Sequence, residues 1–189
     1  MKQITQIKID SPIVPNQGIG EIKLGMNSYY LRDFYGKNFQ DNSGAYSIDF
    51  DKNKWKSELW KPFLGSLNLI YKDFLNVTIN LFNGSISHLR VKNDYQGKVN
   101  GIVGIGDTMR KYYQSNKDIF CEFDEGSFFY WINNRFGLSF YIGDDLEDYQ
   151  NDELFEKYLD KAILEIEIFD DKQRIGVGAD LPENLKIKN

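Results

Sequence analysis

The chain has 189 residues, 41% of them hydrophobic and 15% aromatic, enough apolar side chain to bury a sizeable core and too much for an intrinsically disordered segment. Twenty-three Lys and Arg against twenty-eight Asp and Glu leave a formal net charge of −5, which argues against nucleic acid or an anionic membrane as partner and leaves room for a basic one. A single cysteine, Cys121, excludes an intrachain disulfide, and no apolar run approaches the roughly 20 residues of a membrane helix.

Residues 1–6 carry no apolar stretch after Lys2, so we expect neither a secretory nor a lipoprotein signal and place the protein in the cytoplasm. Residues 2–9 alternate, with Ile7 and Ile9 on one face, and read as an opening strand that Pro12 and Pro15 end. Residues 21–24 read as a strand with Ile22 and Leu24 facing one way. Gly25 turns the chain, Asn27 or Ser28 caps a helix carrying Tyr30, Leu31, Phe34 and Tyr35, and Gly36 closes it. The arrangement recurs at residues 101–113 as an apolar strand, Gly104, a cap at Asp107 or Thr108, and a helix with Met109, Tyr112 and Tyr113. Leu31-Arg-Asp-Phe-Tyr35 even parallels Met109-Arg-Lys-Tyr-Tyr113, so we read a degenerate internal repeat.

Between the copies, residues 38–44 form a polar loop and 46–50 a short strand. Residues 51–63 place Trp55, Leu59 and Trp60 at helical spacing before Pro62; they read as an amphipathic helix plugging a sheet edge, with a recognition loop of exposed tryptophans as the alternative. Residues 66–71 and 75–82 are strands, the second alternating Leu75, Val77, Ile79 and Leu81 inward against Asn76, Thr78 and Asn80 outward. Asn83-Gly84 predicts a type I′ hairpin and a return strand over 85–91. The polar stretch 93–101 is the candidate junction between two halves, 1–96 and 97–189. The second helix leads into a meander over 119–123, 128–132 and 138–142. A helix over 151–159 with Leu154, Phe155 and Tyr158 inward follows, then a strand over 162–169 with Leu164, Ile166 and Ile168 on one side, a strand over 173–177 and a polar tail. The expected class is therefore α+β, mainly antiparallel sheet, built as a tandem repeat of strand-Gly-helix-meander units.

Little in this inventory supports catalysis. His88 lies mid-strand beside Ser85 and Ser87 in a sheet that reads as structural, and Cys121 sits among aromatics without an adjacent cation. Zinc is excluded in practice, and Gly18-Ile-Gly20 and Gly104-Ile-Gly106 complete no nucleotide fingerprint. The outstanding feature is acidic: Asp144, Asp145, Glu147, Asp148, Asp152, Glu153 and Glu156 in one run, with Tyr149 as an aromatic anchor. The run reads as a solvated helix approach, an acidic docking face or a divalent-cation loop, the last without the required one-three-five oxygen spacing. A second patch, Asp118, Glu122, Asp124 and Glu125, comes from the meander; if it lies alongside the first, that half carries a one-signed face.

Residues 13–28, Ile-Val-Pro-Asn-Gln-Gly-Ile-Gly-Glu-Ile-Lys-Leu-Gly-Met-Asn-Ser, and 102–108, Ile-Val-Gly-Ile-Gly-Asp-Thr, resemble the immunity proteins encoded beside bacterial polymorphic or contact-dependent growth inhibition toxins. The repeated glycine turn and meander is also similar to the tandem modules of the β-lactamase inhibitor protein and of outer-membrane assembly lipoproteins. Both resemblances imply binding without catalysis. The expectation is a cytoplasmic, cofactor-free immunity protein that neutralises a basic toxin domain, a nuclease being one candidate. It would do so through Asp144, Asp145, Glu147, Asp148, Tyr149, Asp152 and Glu153. A carboxylate-dependent hydrolase and an assembly module are the alternatives.

Overall fold

Strict apolar-polar alternation, clearest in Leu75–Asn80, predicts strands with one buried face. The computed structural model, which describes residues 4, 7–31, 39–42, 45–48, 55–60, 65–119, 121–124, 126–131, 136–143 and 152–170, builds most of them into one antiparallel sheet. Three two-residue strands come first, β1 (Ile13–Val14), β2 (Gly18–Ile19) and β3 (Ile22–Lys23), followed by a 3-10 turn at Ser28–Leu31 and a hairpin of β4 (Phe39–Asn42) and β5 (Ala45–Ile48). The first half then supplies β6 (Trp55–Trp60), β7 (Ser66–Tyr71), β8 (Leu75–Asn80) and β9 (Ile86–Lys92). The second supplies α1 (Met109–Ser115), β10 (Cys121–Asp124), β11 (Ser127–Trp131), β12 (Phe136–Tyr141), α2 (Asp152–Leu159) and β13 (Glu165–Phe169).

The eight-stranded sheet runs β10-β11-β12-β13-β9-β8-β7-β6. It is two four-stranded meanders joined through their last strands, β9 and β13, in the register Leu89↔Ile168, Arg90↔Glu167 and Val91↔Ile166. Backbone hydrogen bonds at the two glycine turns match pair for pair. Gly25 N–H donates to Ile86 and Ile86 N–H to Met26, as Gly106 N–H donates to Ile163 and Ile163 N–H to Asp107. Met26 N–H to Lys23 likewise matches Asp107 N–H to Gly104. Asn27 bridges Ser85 where Thr108 bridges Ala162, and Gly25 and Gly106 both take positive φ, 76° and 83°. The repeat is thus related by an approximate two-fold axis between β9 and β13. Its true register aligns Gly25 with Gly106 rather than with Gly104.

One face of the sheet is core. Leu69, Leu75, Val77, Leu89, Val91, Ile166, Ile168, Leu138, Phe140, Phe128 and Tyr130 are all buried on it. The helices cover the β10–β12 end, with Tyr112 of α1 against Tyr130 and Phe140 at ring-centroid distances of 5.0 and 4.8 Å. Phe155 and Tyr158 of α2 meet Phe128 and Phe123 at 5.6 and 4.9 Å. The other end is filled by Ile13, Ile19, Ile22 and Leu31 and by an aromatic chain Trp55-Tyr71-Phe74-Tyr95.

Several expectations are corrected. An α+β class with a helix in each repeat does not hold: antiparallel strand dominates, both α-helices among the described residues belong to the second half, and the first glycine turn runs into a 3-10 turn at Ser28–Leu31, with Phe34, Tyr35 and Gly36 of the expected helix lying outside the described residues. The Ser28 amide donates to Gly84 at 2.8 Å, and at the equivalent place in the second half the Met109 amide donates to Lys161 at 3.4 Å. Asn27 still caps, accepting the Tyr29 amide at 2.9 Å, whereas Thr108 precedes α1 without a side-chain bond. Residues 55–60, expected as a helix or exposed loop, form an edge strand paired with β7, and Trp55 is buried.

Residues 7–9 are not a strand although Ile4 and Ile7 are buried, and the expected loop around 38–44 contains β4. Of Asn83 and Gly84 only the glycine has positive φ. The Asn83 side chain accepts the Ser85 amide and hydroxyl at 2.9 and 2.6 Å, closing a longer loop than type I′. Leu164, expected inward, is exposed. Residues 93–101, the expected junction between the halves, are packed. Tyr95 and Val99 are buried, and the Ile13 amide donates to Lys98 while the Asn100 amide donates to Ile13. The expected strand at 173–177 lies outside the described residues.

Candidate functional site

The expected contact residues Asp144, Asp145, Glu147, Asp148 and Tyr149 lie outside the described residues. Asp152 and Glu153 open α2, where the helix dipole favours carboxylates, and the Glu153 side chain is exposed. The second acidic patch is displayed at the β10 edge: Asp118, Glu122 and Asp124 are exposed, while Glu125 lies outside the described residues. Strand alternation puts Glu122 and Asp124 on the outer sheet face, beside Phe129 and Ser127. Phe123 points the other way, against Tyr158 of α2. β10 is the outermost strand of the sheet among the described residues, and its acids face the outer side whereas α2 packs on the other, so the two sets do not share one surface.

Arg110 clamps this end together. It donates to both Asp160 oxygens at 2.6 and 3.0 Å, to the Glu156 carboxylate at 2.8 Å and to the Glu156 carbonyl at 2.9 Å, a forked geometry that a lysine cannot copy. The hydrogen bond from Arg110 holds the Asp160 carboxyl below its ordinary value of 3.8. A depressed carboxyl stabilises the fold above its unfolded value and loses that contribution as pH falls through the folded one. Asp160→Asn is accordingly expected to lower urea-unfolding stability by a constant amount above about pH 4, with the gap to wild type closing at lower pH. A gap that persisted unchanged into acid would show that the clamp works without the charge.

At the centre of the outer face Arg90 reaches Glu165 and Glu167 at 3.3 and 3.4 Å, and Lys92 lies 3.9 Å from Glu165. The Glu167 charge chiefly raises the Arg90 guanidinium. Beside them His88 stacks on Phe169 at 5.7 Å, its Nδ1 2.9 Å from Ser87 Oγ. Asp107 accepts the Gly104 amide at 2.9 Å and the Lys98 ammonium at 3.1 Å; burial would raise its carboxyl, but these donors outweigh it and hold it low. Cys121 faces the core, where burial pushes its thiol up to about 12. That is the opposite of an activated nucleophile.

No family model, curated protein or solved structure matches the chain.

Among the described residues no three His, Cys, Asp or Glu side chains gather in a metal-holding group, and no helix is long and apolar enough to cross a membrane. Two ion-pair groupings escaped the sequence reading. The Arg110 clamp joins residues 46 and 50 positions apart, and the Arg90–Glu167 pair spans 77; neither separation leaves a local pattern.

Proposed function

We propose that the chain is an immunity protein, a stoichiometric inhibitor that neutralises a cognate bacterial toxin domain in the cytoplasm and has no catalysis of its own. The observation that carries this reading is the exposed acidic set at and next to β10, the outermost strand of the sheet among the described residues, Asp118, Glu122 and Asp124, with Glu153 exposed on α2, which packs beneath that strand. An edge strand offers unpaired backbone groups, and charge beside it discourages random pairing while favouring a basic partner. A nuclease fits as the target, since a phosphate-binding site is basic and an acidic cap complements it. The run from Asp144 to Glu153 would extend the same contact.

The test is a pull-down with the product of the adjacent reading frame, followed by a salt titration of the complex. A one-to-one complex that weakens as salt rises is expected. The triple reversal Asp118→Lys, Glu122→Lys and Asp124→Lys should cost about tenfold or more in affinity at low salt and flatten the salt dependence. A parallel reversal of Asp144, Asp145, Glu147 and Asp148 is expected to do the same. Unchanged affinity and slope in both variants would remove the acidic surface from the interface.

A further inference from the structure

The outer side chains of the second meander fall into rows across the strands. One row reads Glu122, Phe129, Ser139, Glu167 and Arg90, each the cross-strand neighbour of the next. The row beside it carries Asp124, Ser127, Tyr141 and Glu165. Two serines thus alternate with two aromatic rings, and carboxylates stand on both sides of them.

Glu167 already has a cation, because Arg90 lies 3.4 Å from it and 3.3 Å from Glu165. Glu122 is exposed and makes no ion pair among the described residues. Ser139 is the second unanswered group. It is 6% exposed, and its chain neighbours Leu138 and Phe140 point into the core, so alternation turns its hydroxyl to the outer side. There it makes no hydrogen bond among the described residues. A hydroxyl set this deeply ordinarily has a partner. Glu122 and Ser139 stand two strands apart, about 10 Å between backbones, with the half-buried Phe129 between them.

A planar guanidinium answers these demands together. It stacks on an aromatic ring, carries five donors in a fixed fork and pairs with a carboxylate. An ammonium is a compact charge and cannot donate to groups on both sides of a ring. We propose that the outer face of the second meander binds an arginine side chain of a partner protein, laid on Phe129, its guanidinium donating to the Glu122 carboxylate on one side and to the Ser139 hydroxyl on the other. Asp124, next but one to Glu122 on the same face, adds charge that draws the cation in. That the arginine belongs to the toxin rests on the inhibitor reading above.

The site is tested first without a toxin. Nα-acetylarginine amide, titrated into the isotopically labelled full chain at low salt, should shift the amides of Glu122, Phe129 and Ser139 saturably in roughly the millimolar range. The uncharged citrulline counterpart should not. Glu122→Gln should weaken this binding about tenfold and Ser139→Ala about threefold. Shifts of equal size at Asp118 and Glu153, or equal binding of the lysine counterpart, would overturn the proposal. So would shifts of the same amides on dilution alone, the mark of a second copy of this chain on the face. In the toxin complex, Glu122→Gln and Phe129→Leu should each cost about tenfold, and together clearly less than the product, because both act on one guanidinium. A salt-sensitive complex indifferent to both substitutions would overturn the arginine site and leave the inhibitor reading standing. A positive titration with no toxin complex would support the site and remove that reading.

Discussion

Phe140→Ala is expected to remove about 3–5 kcal/mol of stability, a large share of the ~5–15 kcal/mol available to an ordinary domain. Phe140 is fully buried on β12. It lies opposite Phe128 on one neighbouring strand and Ile166 on the other, and contacts the rings of Tyr112 and Tyr130 at 4.8 and 5.8 Å. Removing the ring would leave a cavity between helix α1 and the middle of the second meander, where Phe128, Tyr130 and Ile166 are themselves held by strand pairing and cannot collapse inward. Urea unfolding measures the loss, with Phe82→Ala as the control because Phe82 is 61% exposed and should change stability by less than ~0.5 kcal/mol. Equal losses at the two positions would contradict the assignment of the core face.

Gly97→Ala should cost about 3 kcal/mol through crowding. A Cβ at Gly97 would stand 1.9 Å from the Ser11 carbonyl oxygen and 2.6 Å from the Tyr95 ring, and backbone on that side cannot swing away. The same Ser11 oxygen accepts the Tyr95 hydroxyl at 2.7 Å, so the intruding methyl attacks the contact that ties the N-terminal segment to residues 93–100. Hydrogen exchange should localise the damage to the amides of Ile13, bonded to Lys98, and Asn100, bonded to Ile13. Gly101→Ala separates crowding from strain. Gly101 has φ of 75° but nothing within 4 Å of a new Cβ, so only the left-handed backbone penalty of about 1 kcal/mol remains. If Gly101→Ala proved the more costly, close packing at Gly97 would not be what limits this segment.

The functional reading depends on surfaces, and charge alone makes it testable. The acids at the β10 edge come from strand alternation, which exposes Glu122 and Asp124 while turning the half-buried Phe123 toward α2. Those of α2 come from a helix whose inner side is taken by Tyr158 and Leu159. A partner gripping the edge meets both sets, whereas one lying on the flat outer face meets mainly Glu122 and Asp124.

Much of the fold was legible locally. Period-two alternation sufficed for β8, for the β10–β12 meander and for Ile166 and Ile168 of β13; helical spacing sufficed for α2; and the Asn27 cap and the two glycine turns announced the repeat. In each case the deciding interaction lies within a few residues, so composition and spacing carry it. Tertiary structure decided the rest. Trp55, Leu59 and Trp60 fit a helix as well as a strand, and only the open edge of β7 made residues 55–60 pair as β6. The glycine turns are tied to segments far along the chain, Gly25 and Ser28 to Ile86 and Gly84, and Gly106 and Met109 to Ile163 and Lys161, more than fifty residues away in each case. The insertion of β13 beside β9, which creates the two-fold arrangement and the Arg90–Glu167 pair, leaves no mark in either strand's own pattern, because the choice of neighbour rests on burial and pairing between segments that are distant in the chain.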